Sequence, residues 1–85
     1  MSDLKASFER STEVIKCRAD RPDNDTLLTL YALYKQGSEG DVRGPQPGFF
    51  DFVGTAKYEA WAQLKNMSNE EAMQRYIALV DELCS

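Results

Sequence analysis

Tyr31, Tyr34 and Lys35 fall within one helical turn, so two phenols and an ammonium can face one groove. A phenol ring offers a stacking face and a hydroxyl for a phosphate oxygen. A lysine adds a point charge with three donors. Together they suit a nucleotide that carries phosphate. The competing reading makes the tyrosines core residues with wet tips and the lysine a snorkelling neighbour. On composition alone that second reading is the better supported.

Little else in the sequence can do chemistry. The chain has no histidine, which removes the usual proton shuttle near pH 7 and the commonest metal ligand. Serine and cysteine nucleophiles therefore lack their usual base. The carboxylate pairs Glu70/Glu71 and Asp81/Glu82 are adjacent in sequence. On a helix such neighbours point apart, so neither pair converges on a bond. The glycines spell neither a dinucleotide fingerprint nor a Walker loop. Cys17 and Cys84 are too few for a disulfide framework or a cysteine zinc site. They read as reduced thiols of a cytosolic protein, with a Cys17–Cys84 disulfide as the lesser alternative. No enzyme, catalytic residue, metal site or cofactor is expected.

Positioning the cluster is the task of one small domain, residues 1–85. A chain of this length buries only about 60–65% of its unfolded surface. Ten basic against fourteen acidic residues give a net charge of −4, which argues against wrapping nucleic acid or an anionic membrane. The opening residues Met1 to Lys5 show no apolar signal region, so the expected compartment is the cytoplasm. The longest uncharged run, Thr26 to Tyr34, has nine residues. That is too short to span a bilayer, so no stable membrane insertion is expected.

Four helices and one long loop account for the chain. Leu4, Phe8, Ser11 and Ile15, flanked by Val14, predict a first helix from about Asp3 to Cys17. The Asp20-Arg21-Pro22-Asp23 cluster ends it. Asp23, Asn24 and Asp25 offer capping oxygens to a second helix whose stripe is Leu27, Leu30, Tyr31 and Tyr34, widened by Leu28 and Leu33. Gly37 is the expected residue closing that helix. From Gln36 to Phe52 the chain holds four of its five glycines and two of its three prolines, with Phe49, Phe50 and Phe52 among them. The phenylalanines predict an ordered loop folded back on the bundle, and a long ordered loop is more often functional than idle. A third helix is expected over about Val53 to Leu64, with Val53, Ala56, Ala60 and Leu64 inward and Trp61 beside them. Ser68 with Glu71 reads as a capping box opening a fourth helix on Ala72, Met73, Tyr76, Ile77, Val80 and Leu83. No strand alternation or repeat appears, so the class is all-α, a four-helix bundle.

Tyr31 to Gln36, followed by Gly40-Asp41, Pro47-Gly48, Asp51-Phe52 and Gly54 to Trp61, resembles the acyl-CoA-binding protein family. The likeness continues through Ser68, Glu71-Ala72-Met73 and Tyr76-Ile77. Phe8 and Ile15 stand at the family's core positions in the first helix, so the likeness covers essentially the whole chain. The resemblance implies an up-down-down-up bundle that binds, buffers and transports medium- to long-chain fatty acyl-CoA esters without reacting with them. The family's binding residues map onto Lys16, Tyr31, Tyr34, Lys35, Lys57 and Tyr76, with Leu27 and Leu28 touching the acyl chain. In the family the second-helix tyrosines and lysine handle the adenine and the ribose 3′-phosphate. Lys57 and Tyr76 stand where the family also contacts the CoA portion. The partners implied are acyl-CoA thioesters, met by a monomer in transient contact with acyl-CoA-using enzymes. Val53 and Thr55 stand where lysines are common, Gln46 where an arginine is common, and Tyr58 where tryptophan is frequent. The alternative is a helical protein-interaction module on the same scaffold without ligand.

Overall fold

The computed structural model describes residues 3–16 and 21–84. Its four helices are α1 (Asp3–Lys16), α2 (Asn24–Glu39), α3 (Phe52–Ala62) and α4 (Asn69–Cys84). Cys17, where the first helix was expected to end, lies outside the described residues, and so does any pairing of it with Cys84.

Their directions follow from which ends meet. Phe8 of α1 packs on Tyr34 and against Gly37, near the end of α2, while Ile15 and Lys16 share a cavity with Leu27 near its start. Hence α1 and α2 run antiparallel. The α2 terminus meets the start of α4, where the Asn69 side-chain amide donates to the Gln36 and Gly37 carbonyls at 3.0 and 3.1 Å. Leu79 of α4 lies instead beside Leu28 and Thr29, so that pair is antiparallel too. Helix α3 runs alongside α2 in the same sense, Ala56 beside Leu28 and Trp61 beside Gly40. The topology is up-down-down-up, as the resemblance implied.

The core is small and sits where α1, α2 and α4 meet. Phe8, Leu30, Leu33, Ala72, Tyr76 and Val80 are its buried members. These are the residues that helical periodicity put inward on those three helices. Local chemistry sets several ends. Asp23 caps α2 by accepting from the Thr26 N–H at 2.8 Å, and Ser68 accepts from the Glu71 N–H at 3.0 Å. Asp51 does the same for α3 through the Gly54 N–H at 2.9 Å.

Three expectations need correction. Gly37 does not close α2. The helix continues to Glu39 and ends at Gly40, whose φ of +86° suits a residue without Cβ. A Cβ on Gly37 would meet Phe8 Cζ at 3.1 Å and Met73 Cγ at 3.2 Å, so this glycine lets α1 and α4 close on α2. The long loop accordingly begins at residue 40, not at Gln36. The second correction concerns what holds that loop. It is ordered, but Phe49, Phe50 and Phe52 stay 85%, 81% and 76% exposed. Its anchors are polar instead. The Gln36 side-chain amide, fully buried on α2, donates to Asp41 Oδ1 and to the Met67 carbonyl, each at 2.8 Å. The Asn66 N–H joins the same Asp41 oxygen at 2.8 Å. Trp61 Nε1 donates to the Gly40 carbonyl at 2.8 Å and Tyr58 Oη to the Gly44 carbonyl at 2.9 Å. Third, Val53 is 67% exposed rather than inward, because α3 packs on α2 through Ala56, Ala60 and Trp61.

The bonds from Asn66 and Gln36 hold the Asp41 carboxyl below the ordinary value of 3.8. Above that value the carboxylate is charged whether the chain is folded or not, and its stabilisation is present in full. As pH falls through the lowered folded value, the contribution is lost. Asp41→Ala should therefore be less stable than wild type in thermal melts at neutral pH, and the gap should close under acid conditions. A gap independent of pH would remove this account.

Candidate functional site

One cavity of about 560 Å³ opens between α1, α2 and α4 beside the first turns of α3. Thr12, Ile15 and Lys16 line it from α1. Arg21 and Pro22 line it from the connection, and Leu27, Leu30, Tyr31 and Tyr34 from α2. Lys57 closes it from α3 and Tyr76 from α4. Six of the eight residues expected from sequence thus share one space: Lys16, Leu27, Tyr31, Tyr34, Lys57 and Tyr76.

Its floor is aromatic. Phe8 stacks on Tyr34 with centroids 5.7 Å apart and meets Tyr76 edge-on at 5.2 Å. Tyr34 and Tyr76 lie 6.3 Å apart. Such pairs add about 0.5–1.5 kcal/mol each beyond their burial, so the phenol geometry is fixed by the core. Tyr76 is 4% exposed, whereas Tyr34 turns a 42% exposed face outward. The Lys57 ammonium sits 5.2 Å over the Tyr31 ring, a contact that holds a cation at the mouth. Lys16 has only a 3.7 Å tie to Glu13, with both side chains well exposed. Such a pair contributes little and leaves the ammonium able to reorient.

The lining charges are one-sided. Among the described residues Lys16, Arg21 and Lys57 line it and no carboxylate does. A chain with net charge −4 has gathered three cations around a phenol-lined hollow, the arrangement an anionic aromatic group requires. A second groove of about 400 Å³ continues from it between α2 and α3, sharing Arg21, Leu27 and Lys57. It adds Asn24, Leu28, Phe52, Val53 and Ala56, so the path leading away from the cations is mostly apolar. Leu28 belongs to this extension, not to the main cavity. An amphiphile with a charged aromatic head and a greasy tail matches the two spaces together. Among the described residues the lining of the two spaces consists of apolar, hydroxyl, amide and cationic side chains. Among the described residues no cluster of three metal-ligating side chains occurs.

Lys35 stands apart from the cavity lining. Its Nζ bonds Glu39 Oε2 at 2.5 Å and lies 5.0 Å above the Trp61 ring, toward α3. Glu39 in turn pairs with Arg43 at 3.1 Å. The hydrogen bond from Lys35 holds the Glu39 carboxyl below its usual range. A larger concavity of about 640 Å³ between α2, α3 and α4 holds Leu28 alone of the expected residues, together with the carboxylates Asp25 and Glu59. It lacks the cationic excess.

Sequence reasoning missed Arg21, taken only as part of a helix-ending cluster. Its signal was available, since a cation just ahead of an N-cap falls at the open end of the following stripe. Thr12 was also missed, although it lies four residues before Lys16 on the same helix face. Gln36 was read only within a motif and as the start of the loop, and one of its two side-chain partners, Met67, lies 31 residues away.

The family model described as Acyl CoA binding protein matches residues 5–80. The chain is 44% identical over 80 residues to Acyl-CoA-binding protein homolog 1 of Caenorhabditis elegans, covering 94% of this chain and 93% of that protein. It is 42% identical over 85 residues to Enoyl-CoA delta isomerase 2 of Rattus norvegicus, covering 100% of this chain but 22% of that protein. Among solved structures, the crystal structure of Acyl-CoA-Binding Protein 2 from Oryza sativa superposes with a TM-score of 0.90 at 38% identity. That match covers 95% of this chain and 88% of that one.

Burial, and secondarily Tyr34, pushes the Tyr76 phenol above its ordinary value of 10.0. The protonated phenol stabilises the fold fully below that value, and the contribution is lost as pH rises through the folded value. An alkaline titration of tyrosinate absorbance should show a late component from Tyr76. Tyr76→Phe should delete that component, and its persistence in the variant would remove this account.

Proposed function

The chain belongs to the acyl-CoA-binding protein family, and we propose that it binds fatty acyl-CoA esters of medium to long chain and carries them unreacted. One observation supports this most directly: a phenol-lined cavity ringed by cations opens onto an apolar groove. Coenzyme A brings an adenine, a 3′-phosphate and a pyrophosphate at one end, and the acyl chain supplies the tail.

In this reading Tyr31 and Tyr34 face the adenine and ribose, while Lys16, Lys57 and Tyr76 bind the rest of the CoA portion. Leu27 and Leu28 line the acyl path. Arg21 joins the cations, because it borders both spaces. Lys35 takes the 3′-phosphate by leaving Glu39. Residues 1–85 act as one binding domain, a monomer that buffers and delivers acyl-CoA in the cytoplasm and meets acyl-CoA-using enzymes only transiently. The described lining, aromatic and apolar with cations at its edge, suits holding an amphiphilic anion. The likeness to the rat isomerase spans less than a quarter of that protein, so it lends no catalytic residue to this reading. A ligand-free interaction module has no use for three cations facing a hollow.

Titration calorimetry tests the reading. A long-chain ester should bind tightly, free CoA weakly and free fatty acid not at all; equal affinities would refute it. Each buried methylene adds up to about 0.8 kcal/mol. Four more methylenes should thus strengthen binding by up to about 3 kcal/mol, nearly two hundredfold, until the groove is full.

Lys35→Ala should weaken ester binding by about 1.5–3 kcal/mol, the range for a hydrogen bond to a charged group. Tyr31→Phe should cost less, because only a hydroxyl is lost. The role given to Lys35 also requires that dephospho-CoA esters bind the Lys35→Ala variant and wild type alike. An equal loss with both ester types would assign that lysine elsewhere.

A further inference from the structure

The Glu39 carboxylate is seated between two cations. Its Oε2 accepts from Lys35 Nζ at 2.5 Å and its Oε1 from the Arg43 guanidinium at 3.1 Å. Each cation also has a hold that does not involve that carboxylate. Lys35 lies 5.0 Å over the Trp61 ring, and the other arm of Arg43 donates to the Glu39 main-chain carbonyl at 3.1 Å. The ammonium and the guanidinium therefore keep their places when the Glu39 side chain, itself only partly covered, swings into solvent.

The seat continues the row of contacts that begins in the cavity. Tyr31, Lys35 and Glu39 follow one another on α2 at four-residue steps, and Lys57 and Trp61 do so on α3. Lys57 over Tyr31 and Lys35 over Trp61 are thus successive cross-contacts along one α2–α3 seam. Glu39 comes one turn further on, about 5 Å along the helix, and Arg43 reaches back to it from the loop.

We propose that Lys35 and Arg43 together form the seat of the ligand's ribose 3′-phosphate, and that Glu39 is the specificity-determining residue there, an internal anion that a phosphate dianion displaces and a hydroxyl does not. This rests on the acyl-CoA reading, to which it adds Arg43 and the part played by Glu39. Three observations select the occupant. The position already holds an anion, so its geometry is that of an anion site. Two cations bridged by the two oxygens of one carboxylate are within reach of two oxygens of one phosphate, whose spacing is similar. A phosphate monoester carries about −1.5 to −2 at neutral pH, which balances two cations, whereas the single charge of Glu39 balances one. Arginine in particular offers phosphate a planar fork of donors.

Calorimetry with octanoyl-CoA and octanoyl-dephospho-CoA gives each protein a ratio of two affinities, in which a general change of the fold cancels. The proteins compared are wild type, Glu39→Gln and Glu39→Gln/Arg43→Gln, each checked for helix content by circular dichroism. Glu39→Gln should raise the preference for the phosphorylated ester at least about threefold, because the phosphate no longer has to displace a charge. Adding Arg43→Gln should lower it again by at least about threefold, the scale of a partly exposed ion pair. Wild type supplies a second readout without substitution. The hydrogen bond from Lys35 holds the Glu39 carboxyl low, so its titration, followed by carboxyl NMR, should move upward when octanoyl-CoA binds and stay in place when the dephospho ester binds.

An unchanged ratio in Glu39→Gln, even with both esters gaining affinity together, would overturn the proposal. So would a double variant that matches the single one, which would reduce Arg43 to a support for Glu39. A Glu39 titration indifferent to octanoyl-CoA would overturn the displacement. Wild type that binds neither ester would sink the carrier function and the seat with it; tight ester binding with a ratio indifferent to both substitutions would sink the seat alone.

Discussion

The buried amide of Gln36 is the contact on which the arrangement turns. A primary amide in the interior must find partners for both of its hydrogens, because leaving them unpaired costs more than the bonds themselves contribute. Gln36 finds them on Asp41 and Met67, which belong to two different connections. That requirement bends the chain back immediately after α2 and holds the α3–α4 link against it. With Gly40 so placed, Trp61 reaches its carbonyl, and the register of α3 along α2 follows. Lys57, one helical turn earlier, then comes to rest over Tyr31. A site made of side chains from four helices is thus set by a polar contact outside it.

Charge at the site works at short range. The chain as a whole repels anions, and beyond roughly 8–10 Å salt screens what remains. Under the proposed function Lys16, Arg21 and Lys57 act by direct contact, in a hollow whose described lining carries no carboxylate. Steering an anionic ligand from a distance is therefore weak, and selectivity rests on fit: flat rings below, cations at the rim, apolar wall beyond.

Much of the bundle was legible because α1 and α4 are strongly amphipathic, and Phe8, Ala72, Tyr76 and Val80 repeat at helical spacing. Caps at Asp23 and Ser68 were legible for the same reason, since their chemistry is local. The end of α2 was not. Gly37 looks like a terminator, yet it serves as a space-saver between Phe8 and Met73, and only the packing of three helices distinguishes the two roles. The exposed phenylalanines ran against the rule that aromatics go inside, because the direction of a turn apex is decided by long-range anchors. Arg21 hid in a cluster that explains itself as a helix stop. The side on which Lys35 settles depends on Glu39, whose effect is a matter of rotamer choice, not of spacing.

That pairing has a consequence of its own. Lys35 already has a resident counterion in the carboxylate one turn further along α2, which Arg43 helps hold in place. Under the proposed function an incoming phosphate at Lys35 exchanges one anion for another instead of neutralising a bare charge. The gain is a difference between two ion pairs, and added electrolyte, which attenuates both, changes that difference only slightly. A doubly charged phosphate has the advantage in such an exchange and a singly charged one has little, so discrimination by valence is a property of the helix before any ligand arrives.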